Sequence, residues 1–455
     1  MRHVRYAIIG GGISGASLLH ALASRGEDVL LFEQENRLGG VIGSEMFDQA
    51  LIERGPNTLQ TGTPELEALI RELDLTDQII SPDGIARHRY VLRDGKPVSV
   101  PTGPRQLIET ELLSLKAKLR LLREWFLQPE KRGEQDESVA SFISRHFGTE
   151  PLTYGVDPFV SGIYAGDPAR LSLRHTFPLL ADLEREYGSV LKGMVRRGKE
   201  RKKQGLPRNK REMISFRGGL QAIPGKIQQK WGEKMLLGAE VKPLEHTEDG
   251  WRVVAVREGG IEVVRAEEVV LALNSPSAAD LVEPVSPKLA GTLRGISYAP
   301  VALAYLLYDR RDIGHPLDGF GLLVPAVEKR KILGVIFSSS IFPARVPEGK
   351  ALLTLFIGGA RQPELTEGSS DAILSLAHAE ASEILSINGS PVAGELTRWP
   401  VAIPQYNIGY DRILEGLREG EDGLPGLHLI GSYRGGVSVP DCVKNAFLLA
   451  DSLCG

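Results

Sequence analysis

The chain has 455 residues, of which 42% are hydrophobic and 25% charged, and its formal net charge at pH 7 is -4. This composition is ordinary for a globular protein of two or three domains, and it argues against a nucleic-acid partner because no global basic charge is present. The only cysteines are Cys442 and Cys454, which excludes a disulfide framework and favours a reducing compartment.

No targeting or membrane-spanning segment is predicted. The first strand-like run begins within a few residues of Met1, which leaves no room for a signal peptide. No stretch approaches the roughly 20 apolar residues that cross a bilayer. We therefore expect a cytoplasmic protein, and peripheral contact with the cytoplasmic membrane stays open.

The first forty residues alternate apolar runs with a glycine-rich turn. Residues 6–9 are apolar, residues 10–15 read G-G-G-I-S-G and fit G-x-G-x-x-G, residues 16–25 have a helical pattern, and a second apolar run ends at Glu33. This order of strand, turn, helix, strand and acid predicts a dinucleotide-binding unit.

Each part of that unit has a physical role. Gly10 permits the sharp turn, Gly12 lets the backbone approach a pyrophosphate, and Gly15 lets the helix pack close to the strand. The helix N-terminus presents free N–H groups to phosphate. Glu33 is expected to accept hydrogen bonds from ribose hydroxyls.

The acid is followed by Gln34 and then by Arg37, Gly39 and Gly40, which gives E-x-x-x-R-x-G-G. This extension resembles the flavin-dependent amine oxidases, porphyrinogen oxidases and carotene desaturases. The resemblance implies FAD, with Arg37 facing the diphosphate.

Further elements are predicted along the chain. A hairpin is expected to turn at Asp94-Gly95, and a mainly helical region to follow over about 106–211, with Leu107, Leu112, Leu115, Leu119 and Leu122 on one amphipathic face. Other expected helices cover 63–75, 370–385 and 442–453, and expected strands cover 240–243, 251–256, 269–273, a block at 298–357, and 427–431. The nucleotide-binding part would therefore be interrupted by insertions.

A basic run falls within the helical region. Its cations are Lys192, Arg196, Arg197, Lys199, Arg201, Lys202, Lys203, Arg208, Lys210 and Arg211. Two interpretations stay open, a solvated face or a surface for anionic lipid headgroups. Nucleic acid is disfavoured because no aromatic residues interleave with these charges.

Several motifs later in the chain narrow the resemblance. They are G-P-N-T at 55–58, P-F-V-S-G-I-Y-A-G-D-P at 158–168, G-F-G-L-L-V-P at 319–325, L-G-V-I-F-S-S-S-I-F-P at 333–343, W-P at 399–400, P-Q-Y at 404–406 and G-G-V-S-V-P-D-C at 435–442. Together they resemble the oxygen-dependent protoporphyrinogen and coproporphyrinogen III oxidases over essentially the whole chain.

The resemblance implies an α/β fold in three parts: a split Rossmann-like FAD-binding domain, an inserted mixed-sheet substrate domain and a helical domain that contacts the membrane. The expected boundaries are 1–78, 216–290 and 400–455 for the FAD domain, 79–100 and 291–399 for the substrate domain, and 101–215 for the helical domain.

It also implies a reaction, the oxidation of a porphyrinogen to a porphyrin by noncovalent FAD, with dioxygen as acceptor and hydrogen peroxide as product. The cofactor supplies the chemistry, so neither a catalytic side chain nor a metal is expected. Product hand-off to a ferrochelatase is the implied protein partner. The implied FAD contacts are Gly10, Gly11, Gly12, Ile13, Ser14, Gly15, Glu33, Gln34, Arg37, Gly40, Val41, Gly55, Pro56, Asn57, Thr58, Val241, Trp399, Ser432, Val437, Ser438 and Val439.

The implied substrate contacts begin with Arg89, which would pair with a propionate because its planar fork suits a carboxylate. Leu323 and Ile336 would sandwich one pyrrole ring, Phe356 would stack on another, and Ala165 and Gly166 would lie near the reacting bridge. Cys442 is expected to be a buried helix residue.

Protoporphyrinogen is the favoured substrate. Coproporphyrinogen III, a flavin amine oxidase activity and a flavin-binding scaffold without turnover are the alternatives. More cations around Arg89 would favour the four-acid substrate, coproporphyrinogen III.

Overall fold

The computed structural model describes residues 2–86, 88–127, 136–204 and 211–455. Its strands are β1 Arg2–Ile9, β2 Val29–Phe32, β3 Ser44–Phe47, β4 Ala50–Glu53, β5 Leu59–Gln60, β6 Ile79–Ile80, β7 His88–Arg93, β8 Lys96–Ser99, β9 Met213–Phe216, β10 Met235–Leu236, β11 Glu240–Val241, β12 Glu245–Thr247, β13 Gly250–Arg257, β14 Gly260–Leu271, β15 Tyr298–Asp309, β16 Gly319–Leu323, β17 Gly334–Phe337, β18 Lys350–Gly358, β19 Ala393–Pro404 and β20 Leu427–Leu429.

The α-helices are α1 Ile13–Ser24, α2 Pro64–Glu72, α3 Pro104–Glu109, α4 Leu115–Glu124, α5 Val139–His146, α6 Thr149–Pro151, α7 Asp157–Tyr164, α8 Leu173–Thr176, α9 Pro178–Tyr187, α10 Val190–Lys203, α11 Ala222–Trp231, α12 Ser275–Val282, α13 Pro287–Arg294, α14 Ser338–Ile341, α15 Ser370–Leu385, α16 Tyr410–Asp422 and α17 Val439–Cys454. No helix among the described residues is long and apolar enough to cross a membrane.

The first sheet is built from separate stretches of the chain. It has eight strands in the order β10-β2-β1-β14-β13-β11, with β12 on β13 and β20 on β14. The pairs β10/β2, β2/β1, β1/β14 and β14/β20 are parallel. Strand β2 is buried along its whole length, as expected for a parallel strand covered on both faces.

The second sheet is mixed. Its seven strands run in the order β19-β15-β18-β17-β16-β7-β8, and only β16/β7 is parallel. Helix α15 packs on one face, where Ile373, Ala377 and Ala381 join the core. The opposite face carries Leu303, Tyr305 and Leu307 and contacts the β3–β4 hairpin.

Several predicted elements are confirmed. The hairpin turns at Asp94-Gly95, both with positive φ, and α15 spans the predicted residues. Helix α17 begins three residues before the predicted start, because Ser438 caps it and Pro440 suits its first turn. Cys442 is a buried residue of that helix, as expected.

Helix α4 places its leucines outward rather than into the core. Leu115, Leu119 and Leu122 are 73%, 59% and 67% exposed, and Phe126 just beyond the helix is 76% exposed. The buried side of the helix carries Ala117 and Glu124 instead. The predicted face of five leucines is therefore divided, because Leu107 lies on α3 and Leu112 is buried in the turn at 110–114. The three leucines of α4 have no cover among the described residues.

The basic run lies mainly on α10. Lys192, Arg196, Arg197, Lys199, Arg201, Lys202 and Lys203 belong to this helix. Arg211 is exposed just before β9. Arg208 and Lys210 lie outside the described residues.

Candidate cofactor and substrate site

The glycine-rich turn joins β1 to α1 and is tightly packed at two of its glycines. A Cβ on Gly10 would lie 2.5 Å from the Ala272 carbonyl oxygen, and one on Gly15 would lie 1.9 Å from the Gly10 carbonyl oxygen. Gly10 also has a φ of +106°. A Cβ on Gly12, the N-cap of α1, meets no atom within 4 Å. Gly12 therefore faces open space at the helix N-terminus, where a phosphate fits.

Glu33 ends β2 directly beneath this turn. Its Oε2 accepts a hydrogen bond from the Gly11 N–H at 2.6 Å, and its Oε1 accepts one from the Glu35 N–H at 2.8 Å. The side chain is buried, and burial raises its pKa. The carboxylate thus fixes the turn, and its remaining lone pairs are available to a ribose.

Arg37 holds the loop that follows. Its Nη1 donates to the Ile42 carbonyl at 2.8 Å and its Nη2 donates to the Gly40 carbonyl at 2.9 Å. It also lies 3.2 Å from Glu35. The guanidinium therefore supports the backbone beside the turn. Gly39 forms a bridge with Gly12, whereas Gln34 and Val41 are exposed.

The 55–58 segment and Trp399 meet at the same place. A Cβ on Gly55 would lie 2.3 Å from the Val41 carbonyl oxygen, so the two loops cross closely. Asn57 Nδ2 donates to the Gly55 carbonyl at 3.1 Å. Trp399 Nε1 donates to the Arg54 carbonyl at 2.7 Å, which joins the second sheet to this segment.

The C-terminal turn brings a second helix N-terminus next to the first. Helix α1 packs on α17, and burial raises the pKa of the Cys442 thiol on α17 to about 11. Gly435 and Gly436 have φ of +80° and +127°, which favours glycine at both positions. This turn contains Ser432, Val437, Ser438 and Val439. Val241 lies apart from it in the edge strand β11.

Tyr406 holds the same turn, although no role was predicted for it. Its hydroxyl donates to the Ser432 carbonyl at 2.5 Å and accepts from the Gly436 N–H at 3.1 Å. The ring is buried, and burial raises its pKa. The P-Q-Y motif at 404–406 contributed to the family resemblance, but it did not predict these hydrogen bonds of Tyr406.

The expected substrate residues share one face of the second sheet. Across the strands, Arg89 lies opposite Gly321, Gly321 opposite Ile336, Leu323 opposite Gly334, and Gly334 opposite Phe356. Residues opposite each other point to the same side of a sheet, so Arg89, Leu323, Ile336 and Phe356 lie on the side of the second sheet that also carries Leu303.

Helix α7 and its end lie over this face. A Cβ on Gly162 would touch Leu323 at 2.8 Å. Ala165 ends the helix in the left-handed region, with φ of +46°, and its carbonyl accepts from the Ala360 N–H at 2.7 Å. A Cβ on Gly166 would lie 2.6 Å from Gln405 Oε1. Backbone and small residues thus border the face.

Arg89 lies at a surface recess of about 390 Å³, lined by Ser81, Pro82, Ala86, Arg89, Glu212, Met213 and Phe320. Its guanidinium is 5.7 Å from the centre of the Phe320 ring. No ion pair of Arg89 is recorded among the described residues, and the side chain is exposed. The recess therefore presents a cation to an incoming anion.

A buried ion pair lies under the same face and was not predicted from the sequence. Arg345 Nη1 lies 3.1 Å from Glu53 Oε1, with side-chain exposures of 7% and 3%. Burial raises the pKa of Glu53 to about 7, although hydrogen bonds from Ser44 and Arg345 lower it. The partners are 292 residues apart in the chain, so no local pattern indicates the pair.

The described residues fit a dinucleotide rather than a metal. Two helix N-termini, a glycine cradle and the Glu33 carboxylate supply the groups that a diphosphate and a ribose need. No cluster of three or more His, Cys, Asp or Glu side chains that could hold a metal ion is found in the described ranges.

The chain is similar to known flavin-dependent oxidases over nearly its whole length. Residues 11–454 match the family model for flavin-containing amine oxidoreductases. Protoporphyrinogen oxidase 2 of Arabidopsis thaliana is 32% identical over 98% of this chain and 93% of its own length. Coproporphyrinogen III oxidase of Bacillus subtilis is 26% identical over 97% and 96%.

Solved structures agree at the level of the fold. A protein from Exiguobacterium sp. 255-15, provisionally named a protoporphyrinogen oxidase, superposes with a TM-score of 0.82 at 22% identity and covers 99% of this chain and 98% of its own. Putrescine oxidase superposes with a TM-score of 0.71 at 17% identity and covers 99% of both chains. The chain therefore belongs to the family of flavin-containing amine oxidoreductases, whose membership implies FAD.

Proposed function

We propose that this protein oxidises protoporphyrinogen IX to protoporphyrin IX in porphyrin and haem biosynthesis, with noncovalent FAD as cofactor and dioxygen as acceptor. The observation that carries the proposal is one sheet face on which Arg89 accompanies Leu323, Ile336 and Phe356. A cation beside a wide apolar surface suits a flat macrocycle with propionates. The names of the relatives, protoporphyrinogen and coproporphyrinogen III oxidase, support the same substrate class.

FAD would lie across the N-termini of α1 and α17. Gly10 to Gly15 would receive the diphosphate, Glu33 the ribose and Val241 the adenine. The 55–58 segment, Trp399 and the 432–439 turn would border the isoalloxazine ring. The FAD domain would then comprise 1–78, 216–290 and 400–455, as proposed from the sequence, with the substrate and helical domains inserted.

When bound, FAD supplies hydride acceptance. The side chains of this protein would position the substrate and exclude water. Arg89 would hold a propionate at the recess, which orients the ring, and the apolar strand residues would press its methylene bridge toward the cofactor. Ala165 and Gly166 would leave room for the bridge because they carry little or no side chain.

Coproporphyrinogen III is the second candidate, and charge favours the two-propionate substrate. Among the described residues that line the recess, Arg89 is cationic and Glu212 is anionic. Arg345 does not line the recess and is already paired with the buried Glu53. Among the described residues of the recess, four carboxylates would find few cationic partners.

The test is to incubate the purified yellow protein in air with each porphyrinogen and to follow porphyrin fluorescence. The proposal expects a higher initial kcat/KM for protoporphyrinogen. A higher value for coproporphyrinogen III would move the assignment to that substrate. Turnover of putrescine or another amine without porphyrin formation would support an amine oxidase, and no turnover of either class would support a scaffold.

We also infer that α4 rests on an anionic lipid surface. Its exposed Leu115, Leu119 and Leu122 lie on a helix that carries Lys116, Lys118, Arg120 and Arg123, the combination found in interfacial helices. Co-sedimentation with phosphatidylglycerol vesicles should fall strongly in Leu119→Ser/Leu122→Ser. The matched control is Ile261→Ser, at a 69% exposed strand position. Equal loss in both variants would contradict the inference.

A further inference from the structure

A small chamber with both polar and apolar lining lies between the β3–β4 hairpin and the proposed substrate side of the second sheet. Its volume is about 20 Å³. One water needs roughly 10–15 Å³ of such space and two to four polar partners. The polar side chains that line the chamber are Glu53, Asn57, Thr58, Ser338, Arg345 and Thr354. The chamber therefore suits a single bound water.

Arg345 supplies an independent sign of such a site. Its Nη1 donates a hydrogen bond to Glu53 Oε1 at 3.1 Å. Its Nη2 donates to Ser215 Oγ at 2.7 Å and to the Phe216 carbonyl at 2.5 Å. Its buried Nε has no hydrogen-bond partner in the described part of the chain. Because a buried N–H without a partner is costly, a water in the chamber would satisfy it.

Two hydroxyls lead from the chamber toward the substrate face. Ser338 Oγ and Thr354 Oγ1 lie 2.9 Å apart and hydrogen-bond each other. Thr354 is paired with Ile336 across β17 and β18, so both point to the same side of the sheet. Glu53 and these two hydroxyls therefore line the same chamber, which Ile336 also borders.

We propose that a water in this chamber joins Glu53 to the Ser338–Thr354 pair, and that Glu53 holds the proton that the substrate releases until peroxide formation consumes it. The inference rests on the proposed function. Each two-electron step breaks a methylene C–H bond, which gives a hydride to the cofactor, and a pyrrole N–H bond, which gives a proton. Dioxygen takes both electrons and both hydrogens as hydrogen peroxide, so the proton held by Glu53 closes the balance.

The surroundings of Glu53 support this role. Arg345 is the charged group that faces it from the segment after α14, and Tyr305 on β15 donates its hydroxyl to the Glu53 carbonyl at 2.7 Å. Arg54 and Glu45 beside it are paired with each other at 2.5 Å. Since the pKa of Glu53 is about 7, the carboxylate can both accept and return a proton near neutrality.

The experiment counts protons. Holoenzyme is mixed with protoporphyrinogen at pH 8 without dioxygen, in weak buffer with a pH indicator, and release is followed through the first turnover. Hydride transfer without dioxygen adds one negative charge to the site, which would raise the proton affinity of Glu53 above its resting value. The wild type should then keep the released proton at pH 8, and Glu53→Gln should release about one proton more per two-electron step. At pH 6 the two should be equal because Glu53 is already protonated. Glu124→Gln is the matched control, since Glu124 is also buried but caps α10, and it should match the wild type.

A second readout needs no turnover. The infrared carbonyl band of a protonated carboxylic acid should titrate near pH 7 in the wild type and disappear in Glu53→Gln. If that variant fails to retain FAD, Ser338→Ala/Thr354→Val, which leaves the ion pair intact, should show the same extra proton. Equal proton counts in wild type and variant would overturn the inference alone, whereas a wild type that oxidises neither porphyrinogen would overturn the proposed function.

Discussion

Gly12 and Gly15 belong to one turn but have different surroundings. A substitution at Gly12 should therefore act on FAD binding, whereas one at Gly15 should also act on folding. A side chain at Gly12 enters open space, whereas one at Gly15 collides with the Gly10 carbonyl. We expect Gly12→Asp to abolish FAD binding, because its carboxylate would face the diphosphate, while the melting temperature of the apoprotein stays within about 1 °C.

Gly15→Ala is the comparison. It should lower the stability of the apoprotein by roughly 1–3 kcal/mol through overpacking and should also weaken FAD binding. Absorbance of bound flavin and thermal melts measure both effects. A yellow, FAD-loaded Gly12→Asp protein would contradict the position proposed for the diphosphate.

Arg89 is expected to bind substrate without taking part in the chemistry. A hydrogen bond to a charged group contributes about 1.5–3 kcal/mol, so Arg89→Ala should raise KM by about ten- to hundredfold with kcat nearly unchanged. The KM of Arg89→Lys should lie between those of the wild type and Arg89→Ala, because lysine offers a point charge instead of the planar guanidinium fork. Steady-state kinetics test this, and an unchanged KM in Arg89→Ala would remove Arg89 from the site.

At the scale of elements, a buried cluster joins α4, α5, α9 and α10. His146 Nδ1 lies 3.1 Å from Glu124 and its Nε2 lies 3.0 Å from Glu184. Glu124 accepts from the N–H groups of Val190 and Leu191, which caps α10. Burial lowers the pKa of His146, but the two carboxylates raise it above its usual value. Hydrogen bonds from His146 and Arg145 lower the pKa of Glu184 to about 2 against the effect of burial.

These shifts predict how the helical region responds to pH. Because the folded pKa of His146 is raised, its stabilisation is complete below about 6.5 and is lost as pH rises through the folded value. The contribution of Glu184 is present above about 4.5 and is lost as pH falls toward 2. The protection of the first amides of α10, measured relative to their intrinsic exchange rates, should therefore fall in the wild type as pH rises through the raised pKa of His146. In His146→Gln the protection should not change with pH over that range, and a persistent fall would contradict the assignment.

Helices and strands were predicted from the sequence more accurately than the tertiary contacts that bury their faces. The 370–385 helix and the Asp94-Gly95 hairpin depend on local signals, and both are present. Leu115, Leu119 and Leu122 share the exposed side of α4, but Leu107 lies on α3 and Leu112 is buried in the turn between the two helices, so the single five-leucine face was wrong. Periodicity also does not say whether a face meets the core or the solvent. Tyr406 and the Glu53–Arg345 pair escaped notice because contacts between distant parts of the chain define them.

At the scale of the whole molecule, separate parts of the chain meet at the proposed cofactor position. Strands β1, β14 and β20 are neighbours in the first sheet, and α1 packs on α17. Trp399 of the second sheet donates a hydrogen bond to the Arg54 carbonyl, next to the 55–58 segment. The common FAD site of these segments and the C-terminal turn stays a proposal. A ligand that touches all of them should stabilise the entire fold.

Added FAD should therefore raise the unfolding temperature of the apoprotein. At a free concentration of about 100 times its Kd, a ligand stabilises the folded state by about 2.7 kcal/mol. For a chain of this length the unfolding entropy is on the order of 1 kcal/mol per degree, so the expected rise is about 3 °C. Riboflavin lacks the diphosphate and the AMP half and should give a smaller rise at equal concentration. Gly12→Asp should show no rise with FAD, and a full rise in that variant would mean that the cofactor does not lie across the N-terminus of α1.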